Sequence, residues 1–283
     1  MSNSKRTICL SEAEIREIQR QARAKLGECK KTQEIVGQQV FSILGLYARA
    51  LYYPLGKTGP WGITYINNSQ NVVHLDKPFV AVNTSIPIDA QVFAAAHELY
   101  HIWYDKKQEM LFPSILDETD EQGKQKNISE LKADRFAAEF LVDEDLLFSE
   151  MKLYSLKPGK ITLKDILMLT HLFTVPYKAM VKRLWETKAI NQKERNDYLS
   201  INEKTIDQWR KRYSIPIPET NERIALDNLV ELAGAVYEKK LITYEKPEYL
   251  LYLNNLSPED IGISKPKAYI SPSDNEIDKI LEE

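Results

Sequence analysis

Apolar residues recur at three- and four-residue intervals over most of this chain and alternate with polar ones in only a few short runs. That pattern predicts mostly helices with a small sheet. Ser11 followed by Glu14 makes a capping-box start for a helix over residues 11–27. Thr32 opens a second, more apolar helix to about Leu51, carried by Ile35, Val36, Val40, Ile43, Leu44 and Tyr47. Residues 52–54 and the glycines and prolines of 56–60 break it. Residues 62–66, 71–75 and 79–83 read as short strands, the first two joined by an Asn67-Asn68-Ser69 turn. Ser85 and Pro87 then begin a long helix through Tyr104.

Residues 105–126 are polar, contain Pro113 and Gly123, and lose periodicity. So long a connection inside a domain is often a functional lid. A helix over 127–141 follows, and Asp143 is placed to cap a further helical turn. Pro158-Gly159 is the clearest boundary in the chain. Beyond it lie helices near 162–171, 176–187 and 191–212, a break at Pro216 and Pro218, and a helix near 221–239. The polar stretch 264–283 is expected to be loosely held. Three regions result: 1–158, 159–213, and a helical module with a polar tail over 214–283. The fold class is α+β, a small three-stranded sheet packed on helices and followed by a mostly helical C-terminal part.

Composition adds little that the pattern does not already say. With 283 residues and 43% hydrophobic positions the chain can bury a real core without disulfides. Cys9 and Cys29 have no metal-like spacing and suit a reducing compartment. No secretory leader and no membrane-spanning run is visible, so a cytoplasmic location is expected, with no membrane partner. The net charge of −3 gives no general pull toward nucleic acid, but the charge is uneven. Residues 105–150 carry a balance of −7 and residues 152–195 a balance of +7.

The chemistry concentrates in His97-Glu98-Leu99-Tyr100-His101. Histidines four apart on a helix present both rings on one face, where they can grip one tetrahedral zinc ion. Glu98 sits beside the first ligand and can act as general base on water at the metal. The preceding Val92-Phe93-Ala94-Ala95-Ala96 is apolar, so this helix is expected to be buried. Zinc needs a third protein ligand. Glu130 is the best candidate, with Asp134 one turn on as acceptor for the free nitrogen of a zinc-bound histidine. Asp105, Asp117, Glu118 and Glu139 are weaker candidates for that ligand. A donor for the developing oxyanion is open among Tyr65, Tyr100, Tyr104 and Tyr177.

These residues resemble a known family. Phe93–His101, Glu130–Leu141 and the upstream Phe79-Val80-Ala81-Val82-Asn83 look like the ImmA/IrrE metallopeptidases of bacteria, phages and mobile elements. The likeness covers about 35–190 and, more weakly, 220–262. It implies a zincin-like domain and a gluzincin-like site, with His97, His101 and Glu130 as zinc ligands and Glu98 as base. It also implies an edge strand that could hold an extended substrate. Its partner would be a protein: a helix-turn-helix repressor, cleaved to derepress genes, or an antitoxin. Tyr100 stands where the family usually has glycine, and Asp134 where it has asparagine. Tyr100 is therefore expected to line a substrate pocket, or to restrict the site until a partner opens it.

A reading of another class is a metal-holding regulator that binds DNA or protein and cleaves nothing. Residues 162–185 could form a helix-turn-helix, with Tyr177, Lys178, Lys182 and Arg183 on or near its second helix. The alternative is that these helices pack on the peptidase. His171 is expected in the core, and His74 has no ligand-type neighbour at the right spacing.

Overall fold

The computed structural model of the protein describes residues 9–66, 77–105, 128–226, 229–252 and 256–265. The chain divides into two compact units, Met1–Asp227 and Asn228–Glu283. Residues 67–69 and 71–75, the proposed lid beyond Asp105, His74, Asp117, Glu118 and the tail from 266 lie outside the described residues.

The first unit opens with α1 (Glu12–Glu28), whose N-terminus carries the expected reciprocal cap. Ser11 Oγ accepts from Glu14 N at 3.3 Å, and Ser11 N donates to the Glu14 carboxylate at 3.0 Å. Helix α2 (Gln39–Tyr47) is shorter than the 32–51 helix expected. At Ala48 the backbone turns extended, and Arg49–Tyr53 is strand β1. Ala50 and Tyr52 point inward and their neighbours outward, a two-residue period hidden inside an apparently helical run.

Strands β2 (Gly62–Tyr65) and β3 (Phe79–Asn83) fall where the sequence placed them. A fourth strand, β4 (Ala225–Leu226), comes from the region read as helix 221–239, whose helix starts only at Leu229. The sheet order is β2-β3-β1-β4. β1 and β3 run parallel, from Arg49 opposite Phe79 to Tyr53 opposite Asn83. β2 is antiparallel to β3, and β4 antiparallel to β1. Among the described residues the sheet therefore has four strands, where three were expected, and the expected strand 71–75 is not one of those described.

Asn83 ends β3 and fixes the approach to β2. Its fully buried amide accepts from Leu55 N at 3.0 Å and Ser85 N at 2.9 Å. It donates to the carbonyls of Gly56 at 2.8 Å and Pro60 at 3.0 Å. Three of the four hydrogen-bonding positions of one side chain are thus spent on the loop before β2, and the fourth on Ser85.

Helix α3 (Ile88–Tyr104) is the axis of the unit. Every residue from Asp89 to Ile102 is buried, against α2, β2, β3 and α4 (Ile128–Leu141). Helix α5 (Glu144–Leu153) is capped by Asp143, which accepts from Asp145 N and Leu146 N as its position predicted. Then come α6 (Leu163–Phe173), α7 (Tyr177–Glu186), α8 (Gln192–Leu199) and α9 (Glu203–Arg212). The expected 191–212 helix is broken at residues 200–202, where Asn202 caps α9 through Thr205 N at 2.9 Å.

The pair α6–α7 has the short turn of a helix-turn-helix, and of the four side chains considered for its second helix Lys178 and Lys182 are half-buried while the other two are buried. Tyr177 and Arg183 face inward, at 7% and 1% exposure. Tyr177 donates to the carbonyl of Tyr198 at 3.1 Å. Arg183 donates to the carbonyl of Val142 at 2.8 Å and pairs with Glu139. Arg135 joins Glu139 to Glu186, so two arginines and two glutamates bind α4 to α7. His171, expected in the core, lies on the exposed face of α6.

In the second unit α10 (Leu229–Glu238) packs on α11 (Glu245–Tyr252), followed by a 3-10 turn at Pro258–Ile261. Tyr244 donates to Glu259 at 3.0 Å across this small helical module. No helix among the described residues is long and apolar enough to cross a membrane.

Candidate metal centre

Four residues apart on α3, His97 and His101 bring their rings together, with Nε2 3.1 Å from Nε2. Glu130, in the first turn of α4, closes the third side. Its carboxylate lies 3.3 Å from His97 Nε2 and 3.6 Å from His101 Nε2. One donor atom from each of the three falls within 4.8 Å of the others, and all three residues are buried. Of the other carboxylates considered for this place, Glu139 is taken up by Arg135 and Arg183. Asp105 lies behind His101, 3.4 Å from Nδ1, and contact with that ring holds its carboxyl below the usual range.

The donor set fits a cation. His97 Nδ1 is 2.9 Å from Asp134 Oδ1, so the ring's hydrogen sits there and Nε2 presents a lone pair to the cluster. His101 Nε2 and the Glu130 oxygens are acceptors as well, away from water. Burial alone would lower the His97 pKa, but the bonds to Asp134 and Glu130 outweigh it and push it up to about 10. Two imidazole nitrogens and one carboxylate oxygen at this spacing are a donor set suited to zinc.

Glu98, next to His97 on α3, lies against strand β2 of the sheet. Its side chain is fully buried, and burial raises its pKa above the usual carboxylate range. Thr64, also fully buried, donates its hydroxyl to Glu98 Oε2. Glu98 Oε1 has no hydrogen-bond partner among the described residues. It faces Gly62, where a Cβ would come within 2.5 Å of Oε1 and 2.9 Å of Cγ. One carboxylate oxygen is thus pinned by a strand side chain, and the other is kept open because that strand has a glycine. Both contacts come from β2, which is an edge of the sheet among the described residues.

The sequence reading had named His97, Glu98, His101, Glu130 and Asp134, and the fold brings all five together. It had not named Thr64 or Gly62. A glycine at the head of a strand two positions before a threonine was the only signal, and nothing local ties it to Glu98. Tyr100, expected in a substrate pocket, is 6% exposed. Its ring packs 5.6 Å from Phe136 and 5.7 Å from Tyr104, in the wall between α3 and α4. Of the tyrosines considered as oxyanion donors, Tyr104 is within 3.4 Å of the Gln21 carbonyl and Tyr177 is bonded on α7. Tyr65 is 40% exposed on the edge strand.

Comparison with curated proteins gave no match. Among protein-family models, residues 54–184 match Peptidase_M78, described as the IrrE N-terminal-like domain. That stretch contains β2, β3, α3 and α4, and with them every residue of the centre. The family is one of metallopeptidases, which agrees with a buried His-His-Glu donor set beside the Glu98 carboxylate. The chain therefore carries, over residues 54–184, a domain of the IrrE N-terminal-like M78 peptidase family.

Proposed function

We propose that this protein is a zinc-dependent endopeptidase that hydrolyses a peptide bond in a protein partner. The observation that carries the proposal is the Glu98 carboxylate, fixed by Thr64 between the edge strand and the His97–His101–Glu130 cluster. A zinc ion held there supplies Lewis acidity toward water and the scissile carbonyl. His97, His101 and Glu130 hold it, and Asp134 keeps His97 in the tautomer that leaves Nε2 bare. Glu98 Oε1 takes the proton of the attacking water and returns it to the leaving amine. Burial raises the Glu98 pKa, which favours holding the proton on its way to the leaving amine. An extended substrate added beside β2 would present its backbone next to Glu98.

The family resemblance supports a repressor of the helix-turn-helix type, or an antitoxin, as the protein cleaved. The chemistry is the same for either. The inward-facing Tyr177 and Arg183 support the reading in which α6 and α7 pack on the peptidase over the DNA-binding alternative.

The test is metal analysis of wild-type protein, His97→Ala, Glu130→Ala and Glu98→Gln, followed by incubation with the repressor or antitoxin encoded beside the gene. About one zinc per chain is expected in the wild type and in Glu98→Gln, and little in the other two. Cleavage is expected from the wild type alone. A Glu98→Gln variant that cleaves at the wild-type rate would sink the mechanism, and a wild type that takes up no zinc would sink the site.

A further inference from the structure

The far nitrogens of the two histidines are backed differently. His97 Nδ1 meets Asp134, which comes from the neighbouring helix α4. His101 Nδ1 is fully buried and has no hydrogen-bond partner among the described residues. The carboxylate facing it is Asp105, whose Oδ2 is 3.4 Å away but off the line that a hydrogen bond needs. Asp105 cannot share the ion, because it lies against Nδ1 while Nε2 faces His97 and Glu130. For His101 to coordinate through Nε2, its one ring hydrogen must sit on Nδ1. A buried N–H there needs an acceptor.

Asp105 is the residue at which α3 ends, four positions after His101, so the helix itself sets its carboxylate over that ring. Its Oδ2 is also the acceptor of the Ser129 hydroxyl. Ser129 is in α4, immediately before Glu130. The contacts therefore close a ring: His101 to Asp105, Asp105 to Ser129, and Ser129 through one peptide bond to Glu130, which returns to His101 across the cluster.

We propose that Asp105 is the positioning residue for His101, and that Ser129 holds it in place. Asp105 fixes the tautomer and orientation of the second histidine, as Asp134 does for the first. The Asp105–Ser129 bond carries that setting to the helix that delivers Glu130. The inference rests on the His97–His101–Glu130 metal reading but not on peptidase activity.

The experiment is competition for zinc between the purified full-length protein and a colorimetric chelator at neutral pH. Wild type, Asp105→Asn, Ser129→Ala and Ser129→Thr are compared, each with a melting curve of its metal-free form. Asp105→Asn is expected to weaken zinc binding by on the order of tenfold. Ser129→Ala should give a smaller loss in the same direction, and Ser129→Thr, which keeps the hydroxyl, should restore it. Metal-free melting temperatures should stay together. Nitrogen NMR of the zinc-loaded wild type should show His101 protonated at Nδ1, with that signal shifted in Asp105→Asn. Wild-type affinity in Asp105→Asn overturns the proposal. So does a metal-free melting temperature that falls in step with the affinity, which would make Asp105 a brace of the fold alone. A wild type that binds no zinc overturns it together with the metal reading. If zinc binding behaves as expected while no partner is cleaved, the inference stands and only the peptidase reading falls.

Discussion

Gly62 shows how one absent side chain can leave room for a buried carboxylate. A methyl there would lie 2.5 Å from Glu98 Oε1, inside any allowed contact. Gly62→Ala is therefore expected to destabilise the protein by about 1–3 kcal/mol, the usual range for overpacking a filled site. In a Glu98→Ala background the same change should cost far less, because the obstructing carboxylate is gone. Urea unfolding of the two single variants and the double variant measures this; strictly additive losses would mean that the two residues do not meet. At this scale the sequence was legible where partners are close along the chain. His97, Glu98 and His101 share two turns of one helix, and Glu130 and Asp134 share one turn of another. Thr64 and Asp105 were missed in their roles because each acts on a group that only folding, or the far side of a ring, brings to it.

Between elements, the buried ion-pair group of Arg135, Glu139, Arg183 and Glu186 joins α4, which carries Glu130, to α7. Burying charges is costly unless all are paired, so removing one partner leaves the rest exposed to that cost. Arg183→Met is expected to lower stability by about 3–5 kcal/mol, since it takes one positive partner from the two buried glutamates and also leaves the Val142 carbonyl without its donor. Equilibrium unfolding in denaturant is the check, and a loss below about 1 kcal/mol would show that Arg135 suffices for both glutamates. That Arg183 belongs to the packing between helices, one of the two readings left open for 162–185, was hard to see along the chain. A basic residue near a basic stretch looks solvated in one dimension, and its acidic partners lie 44 residues earlier and three later. The same one-dimensional view hid β1. Residues 32–51 satisfy a helical period, and only pairing with β3 makes the alternation of 49–53 the stronger pattern.

For the whole molecule, the metal and a proton compete for one place. The His97 pKa is raised from 6.5 to about 10 in the metal-free fold. A raised histidine pKa adds stability that is complete below the unfolded value and lost as pH rises through the folded one. The metal-free protein should accordingly melt at progressively lower temperature between about pH 6.5 and 10. The zinc-loaded protein should not follow, because the ion has taken the proton's role. At neutral pH, zinc binding should expel about one proton, seen in calorimetry as a heat that tracks the ionisation enthalpy of the buffer. A metal-free melting temperature that stays flat across this window would show that His97 is not charged there. Much of the architecture was legible, since most helices and two strands stand where periodicity placed them. The two strands that complete the sheet, β1 and β4, were not, because short strands are made by their neighbours rather than by their own residues.

Asn83 gives the fold a particular relation to chemical ageing. Asparagine side chains are lost over time when the next backbone nitrogen attacks the amide, which leaves aspartate or its isomer. Here that nitrogen, of Thr84, is held by the carbonyl of Tyr53 at 3.0 Å, and the amide itself is locked by four partners. The folded protein therefore shields Asn83, and the damage can accrue only in molecules that have opened. Once made, it would set a carboxylate against the carbonyls of Gly56 and Pro60 and loosen the entry to the strand that frames Glu98. The shelf life of the candidate metal centre would then be governed by how often the protein unfolds, and not by how long it has been stored.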